Sequence, residues 1–213
     1  MIASLMALVL ALPQSGAATP IPPPSPASSP PSSTVPVPAV AAAMLTRVVL
    51  TTEAGPIVIG VDSRAAPVTA ANFLKYVDGR KLDGIGFYRA VKVADGFGLV
   101  QFGTRNDPRR SLPAISHEPT SETGLSHTDG TISMAMGAPG KARGDFFVVV
   151  GDLPSMDAKD GQPGFAAFGR VLEGMDVIRT ILTAPTSPTM GEGAMKGQML
   201  SPVVRITTAR RAP

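Results

Sequence analysis

The chain has 213 residues, with 19 Lys and Arg against 16 Asp and Glu, and no cysteine. That excludes disulfides, thiol nucleophiles and Cys-ligated metals. A formal net charge of +3 with 5% aromatic residues falls short of the dense basic face with stacking aromatics that nucleic-acid binding uses, and the length suits one domain plus extra sequence.

The chain opens with Ile2–Leu12, IASLMALVLAL. A bilayer span needs about 20 apolar residues, so this run is too short to cross. It has the length of a secretory h-region, and small residues follow at Ser15, Gly16, Ala17 and Ala18. The reading is a signal segment over 1–18 that sends the protein to the periplasm or outside the cell. The basic residue that commonly precedes such a run is missing; if the segment does not act as a signal, the location is cytoplasmic. Residues 19–45 read as a Pro-rich disordered linker. Ten of the 22 prolines precede residue 40, and no charged residue occurs before Arg47. Proline there excludes helix and sheet and favours an extended spacer.

A single domain is expected over 46–211. Arg47–Thr52 and Pro56–Val61 are β-branched runs joined by the turn Glu53-Ala54-Gly55, a hairpin pattern. Pro67 suits the first turn of a helix, and Phe73, Leu74 and Val77 then share a face until Asp78-Gly79. Strands are expected over 86–90, 97–102, 130–136, 146–150, 165–171 and 203–208. A second helix opens at Glu173-Gly174-Met175-Asp176 and runs to about Leu182. About eight strands with two widely separated helices predict a mainly β fold. The economical form is a closed eight-stranded antiparallel barrel capped by two helices, since closure removes exposed edges. His117 and His127 lie in no metal-ligand pattern, so no metal site is expected. No nucleophile–base pair or ligand cluster stands out for a hydrolase or metalloenzyme. No coiled coil or long apolar patch suggests assembly, so a monomer is expected. The basic clusters 105–110 and 205–211 read as solvated surface, with no nucleic-acid partner.

Four segments, in order, resemble the cyclophilin family. They are the hairpin with Ala66-Pro67-x-Thr69-x-x-Asn72-Phe73; Phe87-Tyr88-Arg89 followed by Leu99-Val100-Gln101-Phe102-Gly103; Gly130-Thr131-Ile132-Ser133-Met134-Ala135 followed by Asp145-Phe146-Phe147; and Phe168-Gly169-Arg170-Val171-Leu172-Glu173-Gly174-Met175-Asp176. The resemblance implies an eight-stranded barrel, no cofactor, proline-containing polypeptides as partners, and peptidyl-prolyl cis-trans isomerase activity in protein folding. It implies Arg89 as the catalytic residue. Leu99 and Phe147 match positions lining the proline slot, and Gln101 matches a residue that hydrogen-bonds the substrate backbone.

The sequence also departs from the family pattern. Either Phe97 or Gly98 falls where the family has an aromatic, and Phe97 is the expected supplier of the ring. Met136 replaces an Asn, leaving the backbone of Met136 and Gly137 to pair with an extended peptide. Asp145 replaces a Gln, and is expected to pair with Arg89 or Arg143. Met156 stands near a frequent Trp, and Phe165 replaces a pocket His. Those changes leave room for a second reading, a proline-peptide-binding or scaffold module with weak or no turnover.

Overall fold

The computed structural model describes residues 44–159 and 161–212. The expected signal segment (1–18), and the linker as far as residue 43, lie outside the described residues.

The β-branched runs pair as expected. Strand β1 (Thr46–Thr52) and β2 (Gly55–Val61) form an antiparallel hairpin with Leu50 opposite Ile57. Helix α1 (Pro67–Asp78) follows, with Pro67 in its first turn. Its orphan amides are satisfied from far along the chain: Glu118 accepts from Val68 N (3.0 Å) and Thr69 N (2.7 Å). A carboxylate at that end also complements the helix dipole. The chain continues through β3 (Gly86–Ala94), β4 (Phe97–Gly103), α2 (Thr120–Thr123), β5 (Thr131–Met134) and β6 (Asp145–Val150). It closes with β7 (Ala167–Glu173), α3 (Met175–Thr183), the two-residue β8 (Thr186–Ser187) and β9 (Met199–Arg211).

The strands run in the order β1-β2-β7-β5-β6-β4-β3-β9, and β9 pairs back onto β1. This is the expected closed, antiparallel, eight-stranded barrel; β8 is a short addition outside β9. The short α2 is a third helix beyond the two expected. Two strands run four or more residues beyond their expected bounds, while β5 is shorter than the expected 130–136. β3 runs on into an extended hairpin with β4, turning at Asp95-Gly96. β9 begins at Met199 and passes through Pro202.

An aromatic cluster fills the barrel. The ring of Phe73 on α1 meets Phe146 edge-on at 5.0 Å and Phe168 at 5.2 Å, and Phe102 lies 4.8 Å from Phe87. All five rings are fully buried. At the other cap, Gly174 adopts φ +88°, and a Cβ there would lie 2.5 Å from the Pro56 carbonyl oxygen, so only glycine lets α3 start against the β1–β2 hairpin. With its interior filled, the barrel leaves binding to its outer face.

Candidate active site

A cleft of about 870 Å³ opens on the outer face of β3, β4 and β6. Nine of the ten residues singled out in the sequence line it: Arg89, Leu99, Gln101, Met136, Gly137, Asp145, Phe147, Met156 and Phe165. The tenth, Phe97, does not. Two-residue periodicity would put Phe97 beside Leu99 and Gln101. Gly98 breaks that pattern with φ +156°, where a Cβ would lie 2.0 Å from the Val91 carbonyl oxygen. The Phe97 ring therefore lies over Gly151 instead, 43% exposed and outside the cleft.

A β-bulge between Phe87 and Arg89 brings consecutive residues Tyr88 and Arg89 both into the cleft, although strand geometry alone would separate them. Their polar groups form one chain. Arg89 Nη1 donates to Gln101 Oε1 (3.0 Å), Gln101 Nε2 donates to Tyr88 Oη (2.6 Å), and Tyr88 Oη donates to Asp145 Oδ1 (2.9 Å). Gln198, at the entry to β9, takes the rest of the guanidinium: Arg89 Nε and Nη2 both donate to its Oε1, at 2.9 and 2.7 Å. Two neutral amide oxygens thus hold the arginine, with no carboxylate at its donors. Burial draws its pKa down, and a guanidinium in a protein stays charged all the same.

Asp145 does not form the expected ion pair with Arg89 or Arg143. Register explains this. Arg89 stands opposite Gln101, while Asp145 stands opposite Gly103, a step further toward the strand end. There it accepts from Tyr88 and from the Arg105 backbone N–H (2.9 Å). Burial raises the Asp145 carboxyl above its usual range, against the pull of those hydrogen bonds. The Tyr88 phenol is raised by burial, and further by the neighbouring carboxylate.

The apolar wall is made by Leu99, Phe147, Met156 and Phe165, with Phe147 and Phe165 edge-to-face at 5.4 Å. Behind Phe147 lies His127, fully buried and stacked on that ring at 5.9 Å. His127 Nδ1 lies 2.6 Å from Asp157 Oδ1 and Nε2 lies 3.0 Å from Ser133 Oγ. A Ser-His-Asp hydrogen-bond chain is therefore present, although its spacing in sequence gave no sign of it. Ser133 and His127 are both fully buried, so no substrate carbonyl reaches the hydroxyl and the chain does not make a hydrolase. Burial pulls the His127 pKa down, against Asp157; the neutral ring donates from Nδ1 and accepts at Nε2, bracing the wall.

Residues that the sequence did not assign to the site complete the cleft. Tyr88, Arg105, Lys141, Arg143, Met190, Glu192, Met195 and Met199 line it, and Gln198 clamps the arginine. Gln198 is 109 positions from Arg89, in a glycine- and methionine-rich stretch with no motif around it. No group of three or more His, Cys, Asp or Glu among the described residues is placed to hold a metal ion.

The closed barrel thus presents an arginine beside an apolar wall on its outer surface. The chain matches the family "Cyclophilin type peptidyl-prolyl cis-trans isomerase/CLD" over residues 47–210. A peptidyl-prolyl cis-trans isomerase A of Dickeya dadantii is 35% identical over 152 residues, covering 70% of this chain and 77% of the relative. One from Acinetobacter baylyi is 32% identical, covering 67% and 74%. Among solved structures, a Cryptosporidium parvum cyclophilin-type isomerase, crystallised in the presence of the dipeptide Ala-Pro, superposes with a TM-score of 0.64 at 18% identity. That match spans 78% of this chain and 99% of the other, and shows the shared fold. The chain belongs to the cyclophilin-type peptidyl-prolyl cis-trans isomerase family.

Proposed function

We propose that this chain accelerates rotation about X–Pro peptide bonds in polypeptides, with Arg89 stabilising the twisted amide. The observation that carries the reading is the Arg89 guanidinium, held by two amide oxygens beside an apolar wall in one cleft. The planar amide resists rotation with a barrier of about 18–20 kcal/mol, which leaves X–Pro isomerisation at tens to hundreds of seconds. No bond breaks during rotation, so the site has only to bind the twisted amide better than the planar one. Twisting pyramidalises the nitrogen and frees its lone pair. A fixed guanidinium offers that atom a charge-assisted hydrogen bond. Three of the five Arg89 N–H groups are engaged by glutamines, which leaves one on each terminal nitrogen for substrate.

Leu99, Phe147, Met156 and Phe165 take the proline ring. Both amide atoms of Gln101 already serve Arg89 and Tyr88. Its chief role is therefore to hold the arginine, with one amide N–H left to meet the substrate backbone. The backbone of Met136 and Gly137 pairs with the extended peptide. The apolar run Ile2–Leu12 supports work outside the cytoplasm, in the periplasm or beyond.

The test is a protease-coupled isomerisation assay with Arg89→Ala. Loss of one charge-stabilising donor costs about 10²-fold in turnover at comparable sites, and a loss of that order in kcat/KM is expected with an unchanged thermal melt. Wild type and variant both at the uncatalysed rate, with peptide still bound, would favour the scaffold reading.

A further inference from the structure

Five arginines of the domain are partnered by carboxylates. Arg47 pairs with Glu173, Arg109 with Asp107, Arg179 with Asp129, Arg210 with Asp83 and Arg211 with Asp78. Arg110 caps the carbonyls of Lys81 and Asp83. The cations that line the cleft are not among them. Arg105, Lys141 and Arg143 all line it, all are exposed, and among the described residues none forms a salt bridge.

They stand together for a topological reason. Arg105 follows β4, and Lys141 and Arg143 precede β6. Those strands pair Gly103 with Asp145, and Thr104 N donates to the Gly144 carbonyl at 2.9 Å. The two loops therefore flank one end of the cleft. The lining carboxylate Glu192 lies in the segment before β9, and β9 borders β3 on the far side of the site. The cleft is thus electrostatically lopsided, basic at its β4–β6 end.

The backbone is strained to keep it so. Arg105 and Asn106 are consecutive non-glycine residues in the left-handed region, with φ of 51° and 57°. Such conformations cost about 1–3 kcal/mol each and persist only where surrounding structure enforces them. Buried Asp145 provides the enforcement by accepting the Arg105 amide, while the Arg105 guanidinium sits 5.3 Å above the Tyr88 ring. The carboxylate that lines this end of the cleft is thereby turned inward to the backbone and Tyr88, and the nearby Asp107 is taken by Arg109, which leaves the three cations at the opening.

We propose that Arg105, Lys141 and Arg143 form a subsite for a carboxylate side chain, so that the cleft favours X–Pro bonds flanked within two residues by Asp or Glu. This rests on the isomerase reading of the same cleft. Successive residues of an extended peptide advance about 3.3 Å, which brings a flanking side chain over the two loops while the proline ring occupies the apolar wall.

The experiment uses peptides of one length with Glu, Ala or Lys at each of the two positions before and the two after proline. At one position Glu should raise kcat/KM about fivefold over Ala, and Lys should lower it, from several partly exposed charges acting together. The gap should close near 1 M salt, where the screening length is about 3 Å. The double variant Lys141→Glu, Arg143→Glu should invert the order in favour of Lys, a change that misfolding cannot produce. Equal rates for Glu, Ala and Lys at every position, or an order that survives charge reversal, would overturn the subsite. If wild type turns over none of the peptides, the isomerase reading fails instead. The same ordering is then read from binding, by fluorescence anisotropy of the labelled peptides.

Discussion

The two sides of the cleft are built in different ways. On one, paired strands hold an unbroken hydrogen-bond chain from Arg89 through Gln101 and Tyr88 to Asp145. On the other, the segment after β8 contributes Met190, Gly191, Glu192 and Met195, with no regular structure beyond the single turn Gly193–Met195. Met190 and Met195 are 47% and 43% exposed. The strand side fixes the geometry of a guanidinium. The segment side supplies soft, unbranched side chains that adapt to different neighbours. Gln198 joins the two, since it ends that segment and accepts from Arg89 Nε and Nη2. A guanidinium fixed by the strands thus faces a methionine-rich segment.

That contrast can be broken most severely at Asp145. Asp145→Ala leaves the Tyr88 hydroxyl and the Arg105 amide without their acceptor in a buried place. Unsatisfied buried groups cost about 1–3 kcal/mol, and denaturant unfolding should report a loss of that size. The next effect is on turnover. Gln198→Leu removes the acceptor for Arg89 Nε and Nη2 and should lower kcat about tenfold, or about 1.4 kcal/mol. KM should change little, because the guanidinium remains but is misaimed. An equal rise in KM with constant kcat would mean that Gln198 serves binding alone.

A smaller effect concerns pH. The His127 pKa lies below its usual 6.5 because burial disfavours the charged ring. The unfolded chain then binds the extra proton first. The stability from the neutral ring is complete above about 6.5 and is lost as pH falls through the folded value. Unfolding midpoints at pH 7.5 and 5.5 should show that fall, and His127→Gln should flatten it. Least of all, Met190→Leu and Met195→Leu should change kcat/KM by under about threefold, as volume-conserving swaps do elsewhere. A loss matching that of Gln198→Leu would show that the segment is as exacting as the strands.

The barrel was legible because its signals are local. β-Branched runs around Glu53-Ala54-Gly55, Pro67 at a helix start and Gly174 before α3 each encode their element within a few residues. What stayed hidden depended on exceptions or on distance. Pro202 masked the first residues of β9, because proline argues against a strand interior. The β-bulge that turns Tyr88 into the cleft leaves no compositional mark. Phe97 misses the cleft because Gly98, with a φ of +156°, interrupts the alternation of β4. Asp145 was assigned a cation because charge invites charge, whereas register gave it a phenol and an amide. Gln198 could not be read at all, since nothing near it in sequence points toward Arg89.

The central claim is that a guanidinium fork fixed by two glutamines, and not a positive charge alone, lowers the rotational barrier. Arg89→Lys tests it most directly, measured as kcat/KM on one Ala-Pro peptide beside wild type and Arg89→Ala. Lysine keeps the charge but offers no planar fork to Gln101 and Gln198. The account predicts that the Lys variant falls within about tenfold of the Ala variant, most of the roughly 10²-fold loss remaining. A Lys variant close to wild type would contradict it.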